Sequence, residues 1–461
     1  MKKLSKIFML VVAALCCAVI AGCDKGSSDT IEIEYWHANG AALTTVLEEI
    51  KADFEAKYEG KYTIKLTSYG DYDTLRDTIT SAIAAGMAPT AAQTYPDHVS
   101  LYLEGAALQS LDKYINDPEH GISAEEQAQF VEGFWHEGVI YDTAGTRYAM
   151  PFNKSTELMY YNKTLFDKYG WAVPTTWDEV IAVAKEWMKT SEYAAAVAAN
   201  PGKVYPLGYD SEPNMFITLT QQWGAKYTGF DASGKGQFNA FGAVAEDAAK
   251  SKEAMNWYLE QFNAGYMATS TAFGTNYCSD AFKAGQCIMT IGSSAGASYN
   301  DLKDSGQETA VSFVPQKDKE NGQVIQQGTN ISLFKCKDKD EELGGWLWLK
   351  HMVSYESALK WALETAYFPT RKDVMASAEY QNHVTGKIVA DDGSVIEGKQ
   401  TLAAKAKQAG ILQSAWFYTN IAFPGSSKAR DNAETVVQQI LYGSVSVDKA
   451  YADAYNSILN D

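Results

Sequence analysis

The sequence predicts an α/β protein built as two lobes, and three observations carry that reading. Apolar residues alternate along the chain first with period two and then with helical spacing, the pattern of strand–helix–strand units on a parallel sheet. About 430 residues follow an N-terminal leader and tether, more than one ordinary hydrophobic core organises. Beyond the leader no stretch approaches 18 consecutive apolar residues, so nothing there reads as a membrane span.

The elements follow in order. "TIEIEYWHA" (30–38) alternates and is rich in β-branched and aromatic residues, so it is a strand; "ALTTVLEEIKADFEAKY" (42–58) has helical spacing and "YTIKLTSYG" (62–70) is again a strand. "DYDTLRDTITSAIAAG" (71–86) is a helix closed by glycine, and "APTAAQTY" (88–95) returns to the sheet. "YAMPF" opens a crossing strand whose Asn153-Lys154-Ser155-Thr156 run is too polar for a core strand and whose "ELMYYN" sequel is too aromatic for a loop. "PTTWDEVIAVAKEWMKT" (174–190) is a helix capped by Thr175 or Thr176, with Glu179 placed for a capping box. "YPLGYD" (205–210) is a strand, "MFITLTQQWGA" (215–225) and 245–265 are helices, and 278–296 reads helix, glycine turn, strand. "GTNISLF" (328–334) is a strand, 342–365 is helical, 385–400 is a small hairpin insertion, and 430–443 with 447–460 form a helical tail.

The first 22 residues carry Lys2, Lys3 and Lys6 ahead of an apolar run of fourteen from Ile7 to Ile20, the form of a secretory signal, with an uncleaved anchor as the alternative. Ile20-Ala21-Gly22-Cys23 resembles a bacterial lipobox, which implies lipidation at Cys23 and a flexible tether over 23–29. The expected division is then 30–150 and 291–338 in the first lobe, with 151–290 and 339–461 in the second. Net charge is −18, or −21 without the three leader lysines, which argues against nucleic acid and against electrostatic adhesion to anionic lipid. Cys278, Cys287 and Cys336 match neither a zinc site nor a disulfide framework, though one disulfide among them stays open.

No nucleophile elbow, phosphate loop, dinucleotide fingerprint or zinc-protease motif is present, and the six histidines lack ligand spacing. No cofactor is expected. Turns that follow strands instead carry aromatic and polar residues, where open α/β sheets place their sites. They include Trp36-His37, Tyr72, Tyr95-Pro96-Asp97, Ser155, Ser293-Ser294, Gly328-Thr329 and Tyr367. Flat aromatic faces suit a sugar or polyol, and hydroxyls and amides suit its OH groups. "GSSAG" points backbone N–H groups and Ser hydroxyls at an anion, and Arg430 at a helix start opposes the macrodipole unless an anion is near.

Several stretches resemble the family 1 extracellular solute-binding proteins of bacterial ABC importers. They are "YWHANGAAL", "GDYDTLRDTITSAIAAGMAPTAAQTY", "PFNKSTELMYYNKTLFDKYGW", "PTTWDEV", "AFKAGQCIMTIGSS", "AYFPTRK" and "SKARDNAETVVQQILYG", most like the members that take glycerol 3-phosphate. The resemblance implies a periplasmic-binding-protein-like (type II) fold, with a ligand cleft between its lobes and a membrane permease as partner. It also implies no catalysis, a monomer, and ligand contacts at Tyr72, Ser155, Ser293, Tyr367, Arg430 and a position at Gly328 or Thr329. Two positions depart from the family pattern. Pro96 stands where an acidic residue is usual, with Asp97 one step on, and Ser211-Glu212-Pro213-Asn214 replaces a cleft Trp. A polyol phosphate or its diester is the first expected ligand and an uncharged oligosaccharide the second. The sequons at Asn153 and Asn162 carry no glycan in a bacterial lipoprotein. A glycan-acting lipoprotein enzyme needs a carboxylate pair facing the cleft, and an adhesin needs a large exposed apolar patch.

Overall fold

The computed structural model describes residues 30–389 and 395–459. The leader, Cys23 and its tether lie outside the described residues, as does the 390–394 tip of the insertion. Strand β1 (Ile31–His37) pairs in parallel with β2 (Tyr62–Ser68) through helix α1 (Ala41–Lys57), which buries Val46, Leu47, Ile50 and Phe54 on one stripe. Helix α2 (Tyr72–Ala85) starts at Asp71, whose carboxylate accepts the Thr74 N–H, and stops at Gly86 with φ 68°. The chain then enters β3 (Ala91–Thr94), parallel to β1 on its other edge, and continues into α3 (Pro96–Glu104).

Strand β4 (Met150–Asn162) is where the chain leaves the first lobe. The second lobe adds β5 (Leu207–Tyr209), α4 (Glu212–Gln222), β6 (Met267–Thr269), β7 (Met289–Ser293) and β8 (Thr309–Ser312). Strand β9 (Val324–Leu333) crosses back, α5 (Lys339–Met352) follows, and β10 (Phe417–Tyr418) and α6 (Ser426–Leu441) lie in the tail. One ten-stranded sheet joins the lobes in the order β2-β1-β3-β9-β4-β7-β5-β6, with β8 on β4 and β10 on β9. It is parallel at its ends and antiparallel where the two crossing strands run. The 13 residues of β4 are almost all buried because they pair first with β9 and then with β7. Gly328 bulges β9 with φ +94°, and an added Cβ would lie 1.6 Å from the Asn153 carbonyl, so glycine alone fits.

Each lobe has its own core. Ile33, Tyr35, Leu333, Trp346, Trp348 and Trp361 pack together in the first, and Trp177, Phe216, Tyr258, Met289, Val436 and Tyr451 in the second. The packing corrects the expected division in its second half. Residues 289–312 belong with the second lobe, because β7 pairs with β5 and β8 with the end of β4. Helix α5 belongs with the first, where Gly344 lies so close that an added Cβ would meet Tyr62 and Ile33 at 2.6 and 2.7 Å. The return to the first lobe runs along β9, later than the expected boundary at 291. The insertion forms the expected hairpin, with Lys387–Val389 antiparallel to Val395–Glu397. Cys278, Cys287 and Cys336 are free thiols. Among the described residues no group is arranged to hold a metal ion, and no helix is long and apolar enough to cross a membrane.

Candidate functional site

A cleft of about 360 Å³ opens where α2 and α3 of the first lobe face α4, β10 and α6 of the second. That volume suits a small solute. Four tyrosines wall it: Tyr72 and Tyr95 from the first lobe, edge to face at 4.8 Å, and Tyr227 and Tyr418 from the second. Burial pushes the Tyr72, Tyr95 and Tyr227 phenols well above their usual range, so they stay protonated.

The floor comes from the crossing strands. The Lys154 ammonium, fully buried, pairs with Glu137, whose carboxylate also accepts from Gln326 Nε2 (2.9 Å) and Asn330 Nδ2 (2.8 Å). On the second-lobe wall, Arg430 Nη2 donates to Asn214 Oδ1 (2.6 Å), and Asn214 Nδ2 donates to Glu157 (3.0 Å). The other Glu157 oxygen accepts from the Tyr209 hydroxyl at 2.5 Å. Burial raises Glu157 to about 7, against the pull of those two hydrogen bonds. At the mouth, Arg76 donates to Asp77 (2.9 Å) and Asp73 (3.0 Å) on its own helix and reaches Ser427 Oγ at 3.4 Å on the opposite lobe.

Not every polar atom of this wall is satisfied within the protein. The side-chain carbonyl oxygens of Gln326 and Gln327, the Tyr227 hydroxyl and His98 Nδ1 are buried without a hydrogen-bond partner among the described residues. The Gln326 amide nitrogen is committed to Glu137, so its oxygen is the free end. A buried acceptor left without a donor costs free energy, which a bound donor recovers.

The sequence-predicted residues divide. Tyr72, Asp97, Gly328 and Arg430 line the cleft together, as do Pro96, Pro213 and Asn214 at the two positions that depart from the family pattern. Tyr367 does not line it, but contacts Tyr72 and stacks on Trp361 at 6.2 Å. Ser155 and Ser293 face each other at 3.5 Å beside the cleft, and the Ser293 hydroxyl accepts the Ala295 N–H. Thr329, His37 and Trp36 also place no side chain in the cleft. Thr329 is buried and accepts from Gln93 Nε2 at 2.8 Å, so of the Gly328/Thr329 alternatives the glycine lines it. His37 is buried and accepts the Asn39 N–H through Nδ1, while Trp36 packs on Tyr69 in the first lobe. Adjacent on β1, the two point to opposite faces of the sheet, and neither lines the cleft.

Sequence reasoning missed Glu137, Tyr227, Gln326, Thr419, Asn420, Asp431 and Glu434. One signal was available, since Glu434 stands four residues after Arg430 and so shares its helix face.

A model of bacterial extracellular solute-binding proteins matches residues 49–387 of the chain. The sn-glycerol-3-phosphate-binding periplasmic protein UgpB of Shigella dysenteriae is 26% identical over 352 residues, 74% of each chain. The UgpB of Escherichia coli K12 is 26% identical over 355 residues, again 74% of each. Among solved structures, the GacH receptor of Streptomyces glaucescens, studied unliganded and with acarbose, superposes with TM-score 0.69 at 18% identity over 94% of this chain and 99% of that one. UgpB of Mycobacterium tuberculosis in complex with glycerophosphocholine gives 0.68 at 15%, over 93% and 98%. These structural likenesses establish the two-lobed fold with its cleft.

Proposed function

The chain belongs to the bacterial extracellular solute-binding proteins, and from that premise we propose that it captures a hydroxyl-rich solute, a saccharide or polyol, between its lobes and delivers it to the permease of an ABC importer. Its family binds solutes and is not one of enzymes, which sets aside the glycan-acting alternative. The carrying observation is the buried acceptors in the cleft wall, the Gln326 and Gln327 carbonyls among carboxylates and tyrosines. Such a wall asks for donors, which hydroxyls supply and phosphate oxygens do not, so a solute richer in hydroxyls than a glycerol phosphate fits it better. This reverses the ligand order that the sequence favours. A glycerol phosphate or its diester remains the second reading, supported by Arg430 in the wall and by the UgpB relatives. Arg76 reaching Ser427 across the mouth supports closure of the lobes around the solute. Lipidation at Cys23 would hold the receptor at the membrane; Cys23→Ser should release it from the membrane fraction.

A thermal-shift panel of glycerol 3-phosphate, glycerophosphodiesters, polyols and maltose-type oligosaccharides tests the reading. A bound solute at 100 Kd adds about 2.7 kcal/mol of stability. The hydroxyl-rich members should stabilise the protein. Stabilisation by glycerol 3-phosphate alone would overturn the donor argument, and stabilisation by none would overturn solute capture.

A further inference from the structure

We propose that the solute carries a positively charged nitrogen on its hydroxylated body, as an amine-bearing saccharide or a polyol with a quaternary ammonium group does. This rests on the solute-binding reading and sharpens its ligand class.

Charge pairing inside the cleft is the first observation. Five carboxylates and two guanidinium groups line it. Glu137 has the Lys154 ammonium, and Asp73 shares Arg76 with Asp77. Asp97, Asp431 and Glu434 face Arg430, whose guanidinium donates to Asn214, and Asp431 also feels Arg76 across the mouth. Lys428, on the same helix, does not line the cleft. The remaining acids converge from opposite walls, Asp97 from the first turn of α3 and Asp431 and Glu434 from α6, and Asp97 and Asp431 both act on the Tyr227 hydroxyl. Burial raises the Asp431 and Glu434 carboxyls, outweighing the pull of Arg76 and Arg430 on the first and of Arg430 on the second.

The second observation is independent of charge. Gln326 and Tyr227, each 5% exposed, bring an unpartnered carbonyl and hydroxyl to the same cleft. An ammonium group donates to both kinds of acceptor, carboxylate and amide carbonyl. A quaternary ammonium instead meets the carboxylate field and the faces of the wall tyrosines, the arrangement that stabilises cations over aromatic rings. A phosphate without a cation adds negative charge to an acidic cleft. A neutral sugar fills the acceptors but leaves the acids unpaired.

Calorimetric titration of matched pairs at pH 7 and low salt tests this on the full chain. One pair is the glucosamine disaccharide against its N-acetylated form; the other is glycerophosphocholine against glycerophosphoglycerol. The cationic member of at least one pair should bind ten-fold tighter or better, and the pair that shows it identifies the source of the nitrogen. The ratio should shrink as salt rises and collapse in Asp97→Asn and Asp431→Asn. If an Asn variant does not fold, the salt dependence of the wild-type ratio decides. Equal or tighter binding of the neutral or anionic members in both pairs overturns the cationic assignment while leaving solute capture standing. Binding of none of the four overturns the cationic assignment, and the separate polyol and saccharide panel then decides solute capture.

Discussion

Glu342 in the first lobe and Glu157 in the second are both buried carboxylates, and they answer burial in opposite ways. Burial pushes Glu342 up, but hydrogen bonds from Lys113 and Lys339 (each 2.8 Å), Tyr114 (2.7 Å) and the Cys336 N–H outweigh it and hold the group down at about 2. Glu157 has only a phenol and an amide for partners, and burial carries it to about 7. The difference lies in what each group is joined to. Glu342 ties the end of the first-lobe core to the chain around Lys113, and none of its partners Lys113, Lys339, Tyr114 and Cys336 lines the cleft. Glu157 is linked through Asn214 to Arg430, so a charge arriving in the cleft is felt at a core carboxyl whose ionisation is finely balanced.

The strongest way to break the contrast is at the junction of the lobes, where Glu137 is held like Glu342, by a cation. Lys154→Met strands a buried charge and should cost about 3–5 kcal/mol in urea unfolding. A loss under about 1 kcal/mol would mean that the floor does not depend on this ion pair.

Next is the pH dependence of the second lobe. Folded Glu157 titrates near 7 and the unfolded group near 4.5, so the unfolded state is the one that ionises between them. Its stabilisation is therefore complete below about 4.5 and is lost as pH rises to 7, a fall of about 3 kcal/mol. Glu157→Gln should flatten that slope. An unchanged slope would place the titration elsewhere, with Asp210, raised to about 6 by burial, the next group to replace.

Glu342 has the reverse sign. Its contribution is present above about 4.5 and lost as pH falls toward 2, so Glu342→Gln should cost about 1–2 kcal/mol at pH 7 and progressively less in acid. The smallest effect sharpens the contrast as a control. Thr176→Ala removes the capping box of the helix Trp177–Trp187 and should cost about 1 kcal/mol equally at pH 5 and pH 8.

That capping box was legible in the sequence, as were the βαβ unit at 30–68 and the glycine stop at Gly86, because each depends on neighbours within a turn or two of chain. The polarity of Asn153 to Glu157 was visible but not its cause, which is burial between two strands that return from 130 to 180 residues away. The lobe to which 289–312 and α5 return was not legible, since helical and strand periodicity give a buried face without naming its partner. In the cleft, Arg430 announced itself by opposing a helix dipole and Asp97 by standing next to a displaced family position. Tyr227, Gln326 and Asp431 gave no such sign, because their roles arise only when segments some 100 to 200 residues apart are brought into one wall.

Hydrogen–deuterium exchange with the best-stabilising solute of the panel tests most directly that capture occurs between the lobes. Binding in the cleft predicts protection on both walls together, in 72–76 and 95–98 of the first lobe and in 213–228 and 418–434 of the second. Protection confined to one lobe, or to the separate first-lobe cavity around Lys57, His351 and Arg371, would contradict it.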